Sequence, residues 1–204
     1  MTLTNKDLTY QRLTLKGASD LIHRGFSPDR FSFSFFFEKL QGRSSEKPPI
    51  PVPIPLRFKD AHDDWVMREG FPDQYWTISA FYKPCRREVE ARNTSCFLVD
   101  FDYYKIDAYK DMDFETFCQT VVDENPWLPL PTICVDSGRG AYMLWTFSVR
   151  MENKFRQDWK ATQKGLVRRL KKYGADPAVI DRSRVIRTPK TVNSKNGRVV
   201  EYYQ

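Results

Sequence analysis

Residues 98–104, LVDFDYY, place two aspartates one residue apart in an otherwise apolar, strand-like run. Side chains alternate along a strand, so Asp100 and Asp102 stand on one face while Val99 and Phe101 point the other way. Two carboxylates that close repel each other unless something positive lies between them. A neighbouring Arg or Lys could supply that charge. So could Mg²⁺ or Mn²⁺, which take hard oxygen ligands and are commonly shared with substrate phosphates. The apolar lead-in Cys96-Phe97-Leu98-Val99 makes an uncompensated pair costly, whereas an exposed strand end would carry the same residues with no metal at all.

Three further patches carry chemistry. In DSGRGAYMLW (136–145), two glycines around Arg139 let the backbone turn sharply and approach a ligand. Ser137 and the turn N–H groups could donate to phosphate and Arg139 could pair with it bidentately; a plain hairpin turn with an exposed arginine reads the same way. In GADPAV (174–179), Asp176 follows a long basic helix, either as a third metal-facing carboxylate or as a turn residue ending that helix. In RVIRTPKTVNSK (184–195), Arg184, Arg187, Lys190 and Lys195 crowd a segment whose geometry Pro189 restricts. Four cations so placed repel one another without an anion, and a triphosphate or a nucleic-acid backbone is the natural one.

The elements that must position these patches follow from periodicity. Residues 1–30 read as a polar helical segment centred on Asp20-Leu21-Ile22, and 30–37 (RFSFSFFF) alternate as a strand. Pro48, Pro49, Pro51, Pro53 and Pro55 predict an extended loop along the domain edge and exclude a central strand. Residues 59–69 read as a short helix, 75–82 as a strand, 85–93 as a charged connector and 94–101 as the strand bearing the carboxylates. An N-cap aspartate opens a helix over 113–124 with Phe114, Phe117 and Val121 on its apolar face. Strands at 132–136 and 141–149 flank the SGRG turn. The longest helix, 153–173, has Phe155, Trp159, Leu166 and Leu170 as its stripe and Gly174 as its stop. Residues 184–187 and 198–203 alternate like strands around a basic loop. With no internal repeat and no clean linker, 1–204 reads as one domain, in a portion over 1–93 and a motif-bearing portion over 94–204.

Composition narrows the class. Of 204 residues, 41% are hydrophobic and 15% aromatic, which describes a chain with a core. No apolar run reaches the roughly 18 residues of a membrane span, and no hydrophobic signal segment opens the chain. Four scattered cysteines without a CxxC pair predict free thiols in a reducing cytoplasm. The net charge is +7, unevenly spread: from Lys154 onward fourteen cations face four anions, so the remainder is slightly acidic. A basic third joined to an acidic centre suggests a polyanion partner and a cation-binding spot.

Taken in this order, FLVDFDYYK, SGRGAYMLW, GADPAV and RTPKTVNSK resemble the catalytic core of the archaeo-eukaryotic primase superfamily, the primases and primase-polymerases. The primases of plasmids, phages and other bacterial mobile elements are the most similar in flavour. The resemblance covers about half the chain, from residue 94 onward. Tyr142 stands where the family usually has a histidine after its serine, and Asn193 where it has another in the basic segment.

The resemblance implies an α+β fold, an RRM-like antiparallel sheet packed by helices with an additional N-terminal α/β portion. It implies a primase or primase-polymerase making short primers on single-stranded DNA for replication of a mobile element. Asp100, Asp102 and Asp176 would be catalytic and hold two Mg²⁺ or Mn²⁺ ions. Ser137, Arg139, Tyr142, Arg184, Arg187, Lys190, Asn193 and Lys195 would grip an NTP or dNTP, and the basic face of 153–173 would track the template. A helicase or a helical primase module in trans would be its protein partner, with no membrane involved. Tyr142, which carries no positive charge at neutral pH, keeps open a non-catalytic nucleic-acid-binding relative, and the carboxylates alone would also suit a metal-dependent nuclease. A rolling-circle initiator, which needs a His-x-His pair, has only His23 and His62 to draw on.

Overall fold

The computed structural model describes residues 7–23, 33–38, 50–55 and 72–204. The expected helix at 59–69, Pro48, Pro49, His62 and the start of the first expected strand lie outside these residues. The chain runs α1 (Leu15–Ile22), β1 (Phe33–Glu38), β2 (Ile50–Pro55), β3 (Tyr75–Thr77), β4 (Ser79–Phe81), β5 (Ala91–Phe101) and α2 (Phe114–Asp123). It continues through β6 (Ile133–Asp136), β7 (Ala141–Glu152), α3 (Arg156–Arg169), β8 (Val185–Arg187), β9 (Val192–Asn193), β10 (Arg198–Val199) and β11 (Glu201–Tyr203).

Nine of the described strands form one antiparallel sheet, β11-β6-β7-β5-β4-β1, with β3 pairing both β1 and β8, and β2 on β1. β5 and β7 are its long centre, paired from Asn93–Glu152 to Phe101–Ala141 with one irregularity between Thr94 and Cys96. Both strands are apolar over most of this pairing because both faces are covered: alternate residues enter different cores. Val99 and Phe101 join Phe117, Met143, Leu166 and Leu170 on one face. Cys96 and Leu98 join Trp76, Tyr142, Leu144, Ile186 and Tyr202 on the other.

The sequence expectations need four corrections. The strand expected over 75–82 is broken at Ile78, and β3 turns away to β8 while β4 stays beside β5. The connector expected through Asn93 already belongs to β5 from Ala91 onward. Pro51, Pro53 and Pro55 do lie in a strand, β2, but among the described residues it pairs with β1 alone; at a sheet edge the missing N–H leaves no ladder bond unmade. The helix expected over 153–173 is α only from Arg156 to Arg169, with 3-10 turns at Asn153–Phe155 and Lys171–Tyr173.

α2 begins where Asp113 accepts a hydrogen bond from the Thr116 N–H at 2.8 Å, a cap worth about 1 kcal/mol. α3 lies against β5 through Trp159, whose Nε1 donates to the Cys96 carbonyl at 3.1 Å, and through the fully buried Gln163. The Gln163 amide donates to the carbonyls of Leu98 (2.5 Å) and Val179 (2.8 Å) and accepts from the Leu98 N–H (3.3 Å). One polar side chain thus ties the helix, the central strand and the segment after Asp176. Gln163→Ala is expected to lower stability by about 2–4 kcal/mol, because two buried carbonyls and an N–H lose their partner. Urea denaturation should show a lower midpoint with an unchanged slope; a wild-type midpoint would contradict this role.

Candidate functional site

The end of β5 and the segment after α3 are drawn together by backbone pairing. The Asp176 N–H donates to the Asp100 carbonyl at 2.8 Å, the Asp102 N–H donates to the Gly174 carbonyl at 2.9 Å, and Phe101 bridges Ala175. This close approach needs glycine at 174: it has a left-handed φ of 86°, and a Cβ there would stand 3.1 Å from the Asp102 backbone. Gly140 does the same from the other side, since a Cβ on it would fall 2.4 Å from the Phe101 carbonyl oxygen. The acidic strand, the SGRG turn and the GADPAV segment therefore meet at one place.

Asp100 keeps a small opening to solvent yet is packed around on nearly every side. Its carboxyl is pushed up to about 7, by burial first and then by the negative charges of Asp102 and Asp176, with Arg184 and Lys105 opposing. Asp102 receives the Lys105 ammonium at 2.6 Å. Asp176 accepts the Ala178 N–H at 2.9 Å, the Asx turn that a helix-ending aspartate makes. Among the described residues no group of three or more His, Cys, Asp or Glu side chains is closed up as a metal-binding cluster. Their chemistry nonetheless suits a hard divalent ion: the donors are carboxylate oxygens, and Asp100 is near enough to feel the charges of both Asp102 and Asp176.

Tyr142 lies directly opposite Asp100 in the β5–β7 ladder and so shares its face. It is buried, and burial with the Asp100 charge holds its phenol well above the ordinary value. It stays protonated and can act as a hydrogen-bond donor but not as a base. Arg184 lies near enough to feel Asp100, pairs with Asp181 at 3.1 Å and donates to the Ala178 carbonyl. Arg139 is exposed, its guanidinium 4.2 Å from the centre of the Tyr104 ring. Lys195 is exposed too, and Lys190, at a left-handed φ of 65°, sits 3.7 Å from Glu201.

The remaining expected ligands face inward. Arg187 is 6% exposed and forms a buried ion pair with Asp73 at 2.5 Å, with its guanidinium 4.8 Å from the centre of the Tyr75 ring. Burial would raise the Asp73 carboxyl, but hydrogen bonds from Ser194 and Arg187 hold it below the ordinary value. Asn193 is buried and donates to the Ser137 carbonyl at 2.8 Å. The Ser137 hydroxyl donates to the Gly140 carbonyl at 2.9 Å and accepts its N–H at 3.1 Å, closing its own turn. Arg198 pairs with Asp136 at 2.9 Å, and Asn196 donates to the Gly138 carbonyl. So Ser137, Asn193 and Arg187 build the floor, while Arg139, Arg184, Lys190 and Lys195 remain nearer the surface. Sequence reasoning missed Asp73, Tyr75, Lys105 and Asp136. Lys105, three residues after Asp102, was legible from spacing; Asp73, 114 residues from its partner, was not.

No protein-family model matches the chain. It is 38% identical over 131 residues to a replication protein of Clostridium perfringens, a match covering 62% of this chain and 30% of that protein. It thus spans about a third of that relative's length. Its backbone is similar to the archaeo-eukaryotic primase (AEP) domain of the cyanophage S-2L primase-polymerase, with a TM-score of 0.58 and 16% identity over 92% of this chain and 86% of the other. A weaker likeness, TM-score 0.42 at 14% identity, covers 83% of this chain and 73% of the catalytic domain of primase RepB′ in complex with initiator DNA. The fold is that of AEP catalytic domains, α+β around a curled antiparallel sheet, as the sequence motifs implied.

The raised Asp100 carboxyl has a measurable consequence. Its folded-state value of about 7 exceeds the roughly 3.9 of an unfolded chain, so the folded protein holds the proton more tightly. That stabilisation is complete below about pH 4 and is lost as pH rises through about 7. With divalent ions chelated, Asp100→Asn should be more stable than the parent at about pH 8, by on the order of 2–4 kcal/mol, with the gap closing by about pH 4. Mg²⁺ or Mn²⁺ should raise the parent's Tm at the higher pH and leave the variant's nearly unchanged. Thermal denaturation across pH checks both, and a pH-independent gap would contradict the assignment.

Proposed function

We propose that this chain is the nucleotidyl-transfer core of a replication primase or primase-polymerase, acting on single-stranded DNA with NTP or dNTP substrates. The observation that carries the reading is the convergence of Asp100, Asp102 and Asp176 beside the SGRG turn and the basic segment, on an AEP fold. The replication protein relative supports a role in copying a plasmid-type element. A helicase or a helical primase module would be its protein partner.

Asp100, Asp102 and Asp176 would hold Mg²⁺ or Mn²⁺. When bound, such ions lower the pKa of an attacking 3′-hydroxyl and neutralise the leaving pyrophosphate. The chain's own residues do the rest. Burial, with the Asp102 and Asp176 charges, raises the Asp100 carboxyl to about 7, so loading a cation near neutral pH would release part of a proton. Arg139, Arg184, Lys190 and Lys195 would offer cations to a triphosphate from two segments, the SGRG turn and 184–195, and Tyr142, buried opposite Asp100, would offer it a hydroxyl that carries no charge. Ser137 and Asn193 hold the turn that aims Arg139, and Arg187 fixes the basic segment through Asp73. The exposed cations of α3, among them Lys164 and Arg168, track the template backbone.

The test is product formation on single-stranded DNA with labelled nucleotides and Mn²⁺ or Mg²⁺, run beside extension of an annealed primer. Wild type should give short products, and Asp100→Ala and Asp102→Ala should each lose about 100-fold or more. Extension without initiation would mark a polymerase core that needs its module in trans. Silence in both assays, with metal-independent DNA binding intact, would replace this reading by the non-catalytic relative that Tyr142 suggests.

A further inference from the structure

The end of β5 carries one cation that the proposed triphosphate grip leaves out. Beyond Phe101 the chain makes a 3-10 turn over Tyr103–Lys105, with Asp102 at its start. The Lys105 N–H donates to the Asp102 carbonyl at 2.9 Å, and the Asp102 side chain makes no capping hydrogen bond. In such a turn the side chains at i and i+3 eclipse, so the Lys105 ammonium comes to rest on the Asp102 carboxylate at 2.6 Å. Its charge also reaches Asp100, where it opposes the effect of burial and of the other two carboxylates. Among the described residues no other cation forms an ion pair with any of the three; Arg184, which Asp100 also feels, pairs with Asp181.

Two further observations bear on whether this ammonium can leave. The Lys105 side chain is 59% exposed and that of Asp102 35%. An ion pair so open to water is weakly held, whereas a hard divalent ion takes carboxylate oxygens by preference and carries the larger charge. The Tyr104 ring, in turn, gathers two cations: the Lys105 ammonium stands 5.5 Å from its centre and the Arg139 guanidinium 4.2 Å. One ring thus brings the lysine of the acidic strand beside the outward arginine of the SGRG turn. The flexible aliphatic stem of a lysine lets its ammonium quit Asp102 without quitting this neighbourhood.

We propose that Lys105 is an internal counter-ion: it neutralises Asp102 in the metal-free chain, yields that carboxylate to the divalent ion, and then pairs with the substrate triphosphate beside Arg139. This role rests on the nucleotidyl-transfer reading and adds a residue to it. A lysine that only bound phosphate would weaken nucleotide binding alone when lost, and a surface pair of no consequence would change nothing. Exchange between the two partners gives effects of opposite sign. Removing the ammonium leaves Asp102 uncompensated, so the divalent ion binds more tightly and the triphosphate more weakly.

The test uses the full chain at a pH above the Asp100 value of about 7. Free Mn²⁺ is followed by electron paramagnetic resonance in titrations without nucleotide, and mant-dATP binding by fluorescence in saturating Ca²⁺, so neither readout needs turnover. Lys105→Met is compared with Lys105→Arg, which keeps the charge, and with Lys110→Met, which breaks the same i,i+3 pairing to Asp107 at 3.0 Å. Both lysines are exposed, so all three variants should melt with the wild type. Lys105→Met is expected to bind Mn²⁺ about fivefold more tightly and mant-dATP about fivefold more weakly. Lys105→Arg and Lys110→Met should stay within about twofold of wild type in both. A Mn²⁺ affinity of Lys105→Met that is unchanged or lower overturns the counter-ion role, and an unchanged mant-dATP affinity overturns the hand-over to the triphosphate. Equal effects from Lys110→Met would reduce the result to net charge and overturn both. Asp102→Asn separates this role from the reading it rests on. If that variant loses Mn²⁺ while Lys105→Met matches wild type, the Lys105 role alone falls; if it binds Mn²⁺ as wild type does, the metal site of the proposed function falls and the Lys105 role with it.

Discussion

The enclosure of Asp100 at the end of β5, within reach of the Asp102 and Asp176 charges, is the constraint around which the candidate site is arranged. Like charges in a poorly solvated pocket cannot all ionise without a cation, and Asp100 bears the consequence because it is the most enclosed of the three. The fold holds the conflict in place through rigid backbone. Asp176 reaches Asp100 because Gly174 lets the segment after α3 lie against Asp102, and Gln163 ties that same segment to β5. A looser junction would let the carboxylates move apart.

The basic segment acts on this arrangement mostly from below. Four cations in twelve residues read as a ligand clamp, yet the most buried of them, Arg187, is already neutralised by Asp73 and stacked on Tyr75. Its pair is enclosed enough that removing either partner would strand a charge, so the segment has a fixed anchor. Asn193 and Asn196 then hold the SGRG turn by its carbonyls, and Arg198 holds it through Asp136. The turn is thus clasped between β5 and the basic loop, leaving Arg139 as its outward side chain. Positioning and binding are divided among neighbours in one motif, which explains why so few of its polar groups point outward.

The sequence by itself determined the local elements and the residue types of the site. Period-two alternation marked β5 and β7, an N-cap aspartate and a period near 3.6 marked α2, and paired glycines marked the turn, since each signal is a short-range property of the chain. Motif order supplied the α+β primase-like fold. Tertiary structure alone decided which polar groups are spent on holding the site and which are left to bind. Ser137, Arg187 and Asn193 look no different in sequence from Arg139 and Lys195; their partners, Gly140, Asp73 and the Ser137 carbonyl, are chosen by how the loops meet. The kink at Ile78 and the pairing of the β2 prolines as a strand on β1 were hidden for the same reason, because strand pairing is a long-range choice that no window of neighbouring residues contains.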